Sequence, residues 1–156
     1  MERSRAFRAI ASAGLIAGIL DITSAFVIAG LKGVGSIRML QGIASGLLGA
    51  RSFEGGMATA GLGLAIHFLI AFTAASVFYV ASRKLTFLTQ RPVISGLFYG
   101  VAVYLFMYWI VVPLAIVNVR HSISRDVTAV IVHMVLIGLP IALVVRRFSG
   151  NKLQNR

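Results

Sequence analysis

The chain has 156 residues, of which 58% are hydrophobic and only 12% charged, with a mean hydropathy of +0.92. Soluble domains carry roughly 25% charged residues, so a water-solvated globule is excluded. The chain has no cysteine, which excludes disulfides, thiolate metal sites, iron–sulfur clusters and thiol nucleophiles.

A helix that crosses a bilayer needs about 20 mostly apolar residues. Taken in chain order, four stretches qualify: 9–30, 57–81, 92–117 and 127–145. Their apolar character is continuous rather than alternating, which predicts helices and not a barrel. The first stretch has a basic start like a signal peptide, but Asp21 interrupts it and no small-residue cleavage site leads into a polar domain. It is therefore expected to be a retained span.

Between the first and second spans lies 36–51, SIRMLQGIASGLLGAR. Its apolar residues share one face, and it is too short to cross. Basic residues arbitrate its placement. With four spans, ten basic residues fall on the side of the termini and five on the other, against nine and six if this segment were a fifth span. The count favours four spans with both termini cytoplasmic, and makes 36–51 an interfacial or re-entrant helix on the outer side. The expected fold is an all-α membrane protein, one transmembrane helical domain over 1–156.

This map also accounts for the net charge of +11. Arg and Lys at span ends reach the interface and attract anionic headgroups. No basic run interleaved with aromatics is present, so nucleic acid is not an expected partner. The expected partner is a bilayer with anionic lipid, and a homo-oligomer is compatible with the pattern.

The first and third spans share a pattern, GLIAG at 14–18 and GLFYG at 96–100. The second and fourth share another around His67 and His133. First glycine to histidine is 53 residues in one half and 37 in the other, a difference of 16 that equals the length of 36–51. Two hairpins of one topology, the first carrying an inserted helix, would produce this spacing, as in parallel-repeat transporters.

The run from Arg38 to Gly49, the HFLIAF run beginning at His67 and the GVAVYLFM run beginning at Gly100 together resemble small four-span bacterial inner-membrane proteins that have no assigned activity. The resemblance implies an inner-membrane location and carries over no functional residue.

Ionisable groups inside a bilayer are functional candidates. Asp21, His67, His133 and Tyr108 fall at similar depths, about 10 to 16 Å from one surface at the helical rise, with Tyr104 one turn from Tyr108. Small residues, among them Gly14, Gly18, Gly96 and Gly100, share their faces and mark helix contacts. The polar groups are thus expected to form one layer pointing into the bundle, with Asp21 beside His67 or His133.

Three functions suit such a layer. The leading one is a small transport or proton- or ion-coupled protein built on Asp21 and the histidines. The second is a structural or assembly subunit whose glycine stripes pack on a partner. The third is a redox protein with His67 and His133 as axial ligands of haem b. No other cofactor is expected. Asp21, His67 and His133 could also suit zinc or iron in kind, two imidazoles and a carboxylate. Bland readings stand beside these: a buried His commonly bonds a neighbouring carbonyl, and a buried Tyr commonly packs. The chain contains no nucleophile elbow, phosphate loop or dinucleotide fingerprint, so the sequence points away from an enzyme.

Overall fold

The computed structural model describes residues 2–114 and 123–149, and all regular structure among them is helical. In chain order the elements are α1 (Glu2–Leu31), α2 (Ser36–Leu48), α3 (Gly56–Lys84), α4 (Phe87–Gln90), α5 (Pro92–Phe106), α6 (Val112–Leu114), α7 (Ile123–Val132) and α8 (Leu139–Ser149). A 3-10 turn, Gly49–Phe53, follows α2. Wide π-turns, Met107–Val111 and His133–Gly138, join α5 to α6 and α7 to α8. The expected stretch 92–117 ends among residues outside the described part.

Among the described residues four helices are long and apolar enough to span a membrane: Arg3–Leu31, Gly56–Lys84, Pro92–Val111 and Ile123–Ser149. The protein is a multi-pass, all-α membrane protein. Its first, second and fourth helices outrun their apolar stretches because the flanking Arg and Lys residues remain helical. A helix of 29 residues is about 43 Å long at the helical rise, so its charged end turns reach the headgroups.

Local sequence sets the breaks. Gly33 closes α1 with φ +73. Its N–H bonds to Gly30 O at 2.9 Å, and Val34 N–H bonds to Ala29 O at 2.9 Å, the two bonds of a Schellman cap that only a residue tolerant of positive φ accepts readily. Pro92 opens α5 at a position where its missing N–H costs no helical bond.

Each π-turn stands just before a proline, Pro113 or Pro140. A proline ring collides with the carbonyl four residues earlier and supplies it no N–H. Widening the preceding turn relieves both problems, and the Val112 and Leu139 N–H groups bond five residues back, to Met107 O and Met134 O.

In lipid no hydrophobic force holds apolar helices together, so close backbone packing must do it. Helix α1 packs along α3 on one side and along the fourth span on the other, and the fourth span packs on α5. The core lies toward the end that carries both termini: Ala13 and Ala17 from α1, Ala75 and Phe78 from α3, Val103 from α5, and Ile137, Ile141, Ala142 and Val145 from the fourth span. There Tyr99 links the second and third spans, its hydroxyl donating to Ala74 O at 2.6 Å and its ring edge-on to Phe78.

At the opposite end α2 lies along α3 and also touches α1 and α6. It docks through Gly63, whose missing side chain admits the Leu40 carbonyl. Buried Gln41 donates to Gly56 O at 3.1 Å, and Thr59 Oγ1 donates to Ser52 O at 2.6 Å. The short helix is thus seated through Gln41, Ala44 and Ser45, while Ile37, Leu47 and Leu48 of its apolar face stay exposed.

Candidate functional site

Gly14, Ala17, Gly18 and Asp21 recur on one side of α1 at steps of three and four, and that side meets α3. Room for a Cβ at Gly14 is taken by Phe72, and at Gly18 by Phe68 and Ala71. The backbones therefore approach closely, and Asp21, one turn beyond Gly18, comes to His67. The Asp21 Oδ2 to His67 Nδ1 distance is 3.9 Å, with the side chains 20% and 12% exposed respectively. His67 Nε2 donates to Gly18 O at 2.9 Å, and the Phe68 ring stands edge-on to the imidazole.

The grouping has a physical basis. An ionised Asp in the middle of a spanning helix costs roughly 2.5 to 3.5 kcal/mol on insertion scales, and a facing imidazole is a partner that can carry the opposite charge. At 3.9 Å the two form an ion pair when the imidazole is protonated, but the gap exceeds hydrogen-bond length.

His133 belongs to a different group. Its Nδ1 donates to Ala129 O in its own helix at 2.8 Å. Its ring lies edge-on to Tyr104 with centroids 5.7 Å apart, and Tyr104 lies 5.6 Å from Tyr108. Tyr108 in turn meets Trp109, a side chain largely exposed on the outer face of the bundle.

The single expected layer is therefore divided between two pairs of spans. The glycines explain the division. Gly14 and Gly18 bring α1 onto α3, whereas Gly96 and Gly100 bring α5 onto the fourth span at Gly138, His133 and Met134. Each polar side chain meets the helix on which its own glycine stripe packs. All four glycines lie in contacts within the chain, not on a face left for a partner.

One reading of the sequence needs correction. Among the described residues no three His, Asp or Glu side chains gather into a metal-binding group, so Asp21, His67 and His133 do not form the three-ligand set. For the haem reading, His67 has Nε2 committed to Gly18 O, which leaves Nδ1, facing Asp21, and His133 has Nδ1 committed to Ala129 O, which leaves Nε2.

The buried network of Gln41, Thr59 and Ser52 is absent from the sequence expectations. A signal for it existed, since Gln41 is a long polar side chain at the edge of the apolar face of α2. The π-turns could likewise have been looked for at Pro113 and Pro140.

No protein-family model, characterised protein or solved structure matches the chain. The functional reading therefore rests on geometry.

Proposed function

We propose that the chain is a small inner-membrane transport or proton- or ion-coupled protein whose working group is the Asp21–His67 pair. The observation that carries this reading is a carboxylate and an imidazole from two different spans, 3.9 Å apart and mostly enclosed. The apolar core, from Ala17 and Ala75 through Phe78 to Val145, lies on one side of the pair, toward the termini.

Matching registers of the two hairpins support the internal repeat as part of this proposal. Gly18 faces Phe68, the residue after His67, and Gly100 faces Met134, the residue after His133. Gly14 faces Phe72 and Gly96 faces Gly138, each five residues beyond the respective histidine. In this register the position equivalent to Asp21 is Val103, an apolar residue of the core, so the second hairpin carries no carboxylate there. We assign the ion-binding role to the first hairpin alone.

Proteoliposomes test the function. Reconstituted protein with an imposed pH gradient should show a proton flux above that of empty vesicles, and Asp21→Asn should abolish it while the helix content stays unchanged. Equal flux in the variant and the parent would overturn the proposal. If neither conducts, the pair is a structural lock, and the structural-subunit reading takes its place.

The orientation is part of the same proposal. With the termini and the 85–91 connection on the cytoplasmic side, the basic residues there face anionic lipid. Arg8 stacks over Phe148 at that end, 5.9 Å from the ring centroid. Reporter fusions after Arg91 and after Arg156 should both read cytoplasmic; a periplasmic signal from either reverses the topology.

A further inference from the structure

Resting on the reading of Asp21 and His67 as an ion-binding pair, we infer that the ion is a single proton held between Asp21 Oδ2 and His67 Nδ1. Gly18 supplies the first constraint. A carbonyl oxygen only accepts, so the 2.9 Å bond to Gly18 O keeps a hydrogen on His67 Nε2 whether the ring is neutral or charged. A neutral His67 must then present the lone pair of Nδ1, not an N–H, to Asp21.

With Asp21 ionised and His67 neutral, two electron-rich atoms face each other with no hydrogen between them. One proton resolves this in either of two positions. On Nδ1 it makes an imidazolium opposite a carboxylate; on Oδ2 it makes a carboxylic acid that donates to Nδ1. Both forms are neutral as a pair. Closing the 3.9 Å gap to hydrogen-bond length takes about 1 Å of side-chain movement. The proton arrives from hydronium, leaves a water molecule behind, and changes the pair from −1 to zero without oxidation or reduction.

A metal cation is served badly by the same group. Calcium takes about six to eight oxygens and zinc about four donors. The pair offers one carboxylate, and no third His, Asp or Glu joins it among the described residues.

Charged groups on the neighbouring elements lie elsewhere. Those of α1 other than Asp21 are Glu2, Arg3, Arg5 and Arg8, in its first turns, and those of α3 are Arg83 and Lys84, in its last turn. Helix α2 carries Arg38, which lies 4.1 Å over the Phe53 ring, and the turn after it carries Arg51, which is exposed. The fourth span carries Arg125 and Asp126 in its first turn, Arg146 and Arg147 near its end, and His133, bonded to Ala129 O.

The experiment is a pH titration of ring nitrogen-15 signals from histidine-labelled full-length protein in lipid nanodiscs. Single His→Gln substitutions at His121 and His133 assign the signals. The parent should keep Nε2 protonated throughout, and Nδ1 should gain its proton in two linked steps, as coupled sites do. Asp21→Asn, nearly isosteric, should collapse these to one step, and Asp21→Glu should restore two. Exchanging potassium for sodium, or adding calcium or zinc, should leave the His67 signal in place.

Identical titrations in the parent and Asp21→Asn would overturn the inference. So would a neutral His67 carrying its hydrogen on Nδ1, or a metal-dependent shift that Asp21→Asn removes. Coupled titration without vesicle flux would leave the proton pair standing and remove only the transport function; flux without coupling would do the reverse.

Discussion

Gly138→Ala is expected to be the most destabilising single-methyl change in the bundle. A Cβ at this position would collide with Gly96 O and with the N and Cα of Gly100, all of them backbone atoms of the facing helix. No side-chain rotation relieves such a clash, so α5 and the fourth span must separate. Overpacking a dense core costs about 1 to 3 kcal/mol and occasionally more, and this position belongs at or above the top of that range. Gly18→Ala should cost less, because its Cβ would meet ring atoms of Phe68, 2.7 and 2.9 Å away, and a ring can swing. Gly61→Ala should go the other way. Nothing lies within 4 Å of its added Cβ, and an interior helical alanine gains about 0.8 to 1 kcal/mol over glycine. Denaturation midpoints in detergent should fall in the order Gly61→Ala, parent, Gly18→Ala, Gly138→Ala. Equal midpoints for the last two would show that the backbones do not touch.

Gly63→Ala is expected to lift α2 off the second span. The added methyl would take the place of the Leu40 carbonyl, and it would lie 3.4 Å from Ala44 N. Both belong to the backbone of α2, so the short helix has to move as a unit and pull Gln41 from Gly56 O. Ser45 and Ser52, 1% and 0% exposed, would then become reachable. A cysteine at Ser45 should react at least about tenfold faster with a water-soluble maleimide in Gly63→Ala than in the parent, the factor that a 1.4 kcal/mol weakening of docking produces. Gln41→Leu should give a smaller increase, since it removes hydrogen bonds worth about 1 kcal/mol each but leaves the Gly63 seat intact. An unchanged labelling rate in both variants would mean that α2 is held by something other than Gly63 and Gln41.

The π-turns show how far local reading of the chain extends. Pro113 and Pro140 announce that a helix must deform nearby, but the deformation could have been a kink, a break or a widened turn. Widening at His133–Gly138 keeps Gly138 against Gly96 and Gly100, a choice made by the neighbouring helix. Gln41 is similar. Its polarity at the edge of an apolar face signals a partner, and only the fold identifies the partner as the start of α3.

For the polar residues the division is sharper. Depth along a helix depends on sequence position and a fixed rise per residue, so it was legible before any fold was known that Asp21 could meet His67. Which helix each one faces depends on how spans rotate and pair, and those are long-range choices. Here backbone contact at glycines made them, bringing Asp21 to His67 and leaving His133 with Tyr104.

The amino-acid sequence by itself determined that this is a four-span helical membrane protein with a short amphipathic helix between its first two spans. Hydrocarbon imposes that outcome, because a long apolar segment must satisfy its backbone internally and be of a length to cross. The tertiary structure alone decided that the polar level is two groups rather than one layer, that α2 seats on Gly63, and that the glycine stripes are used within the chain. Apolar helices in lipid have no solvent-driven preference for one face over another, so their pairing follows the detailed shapes of the surfaces in contact.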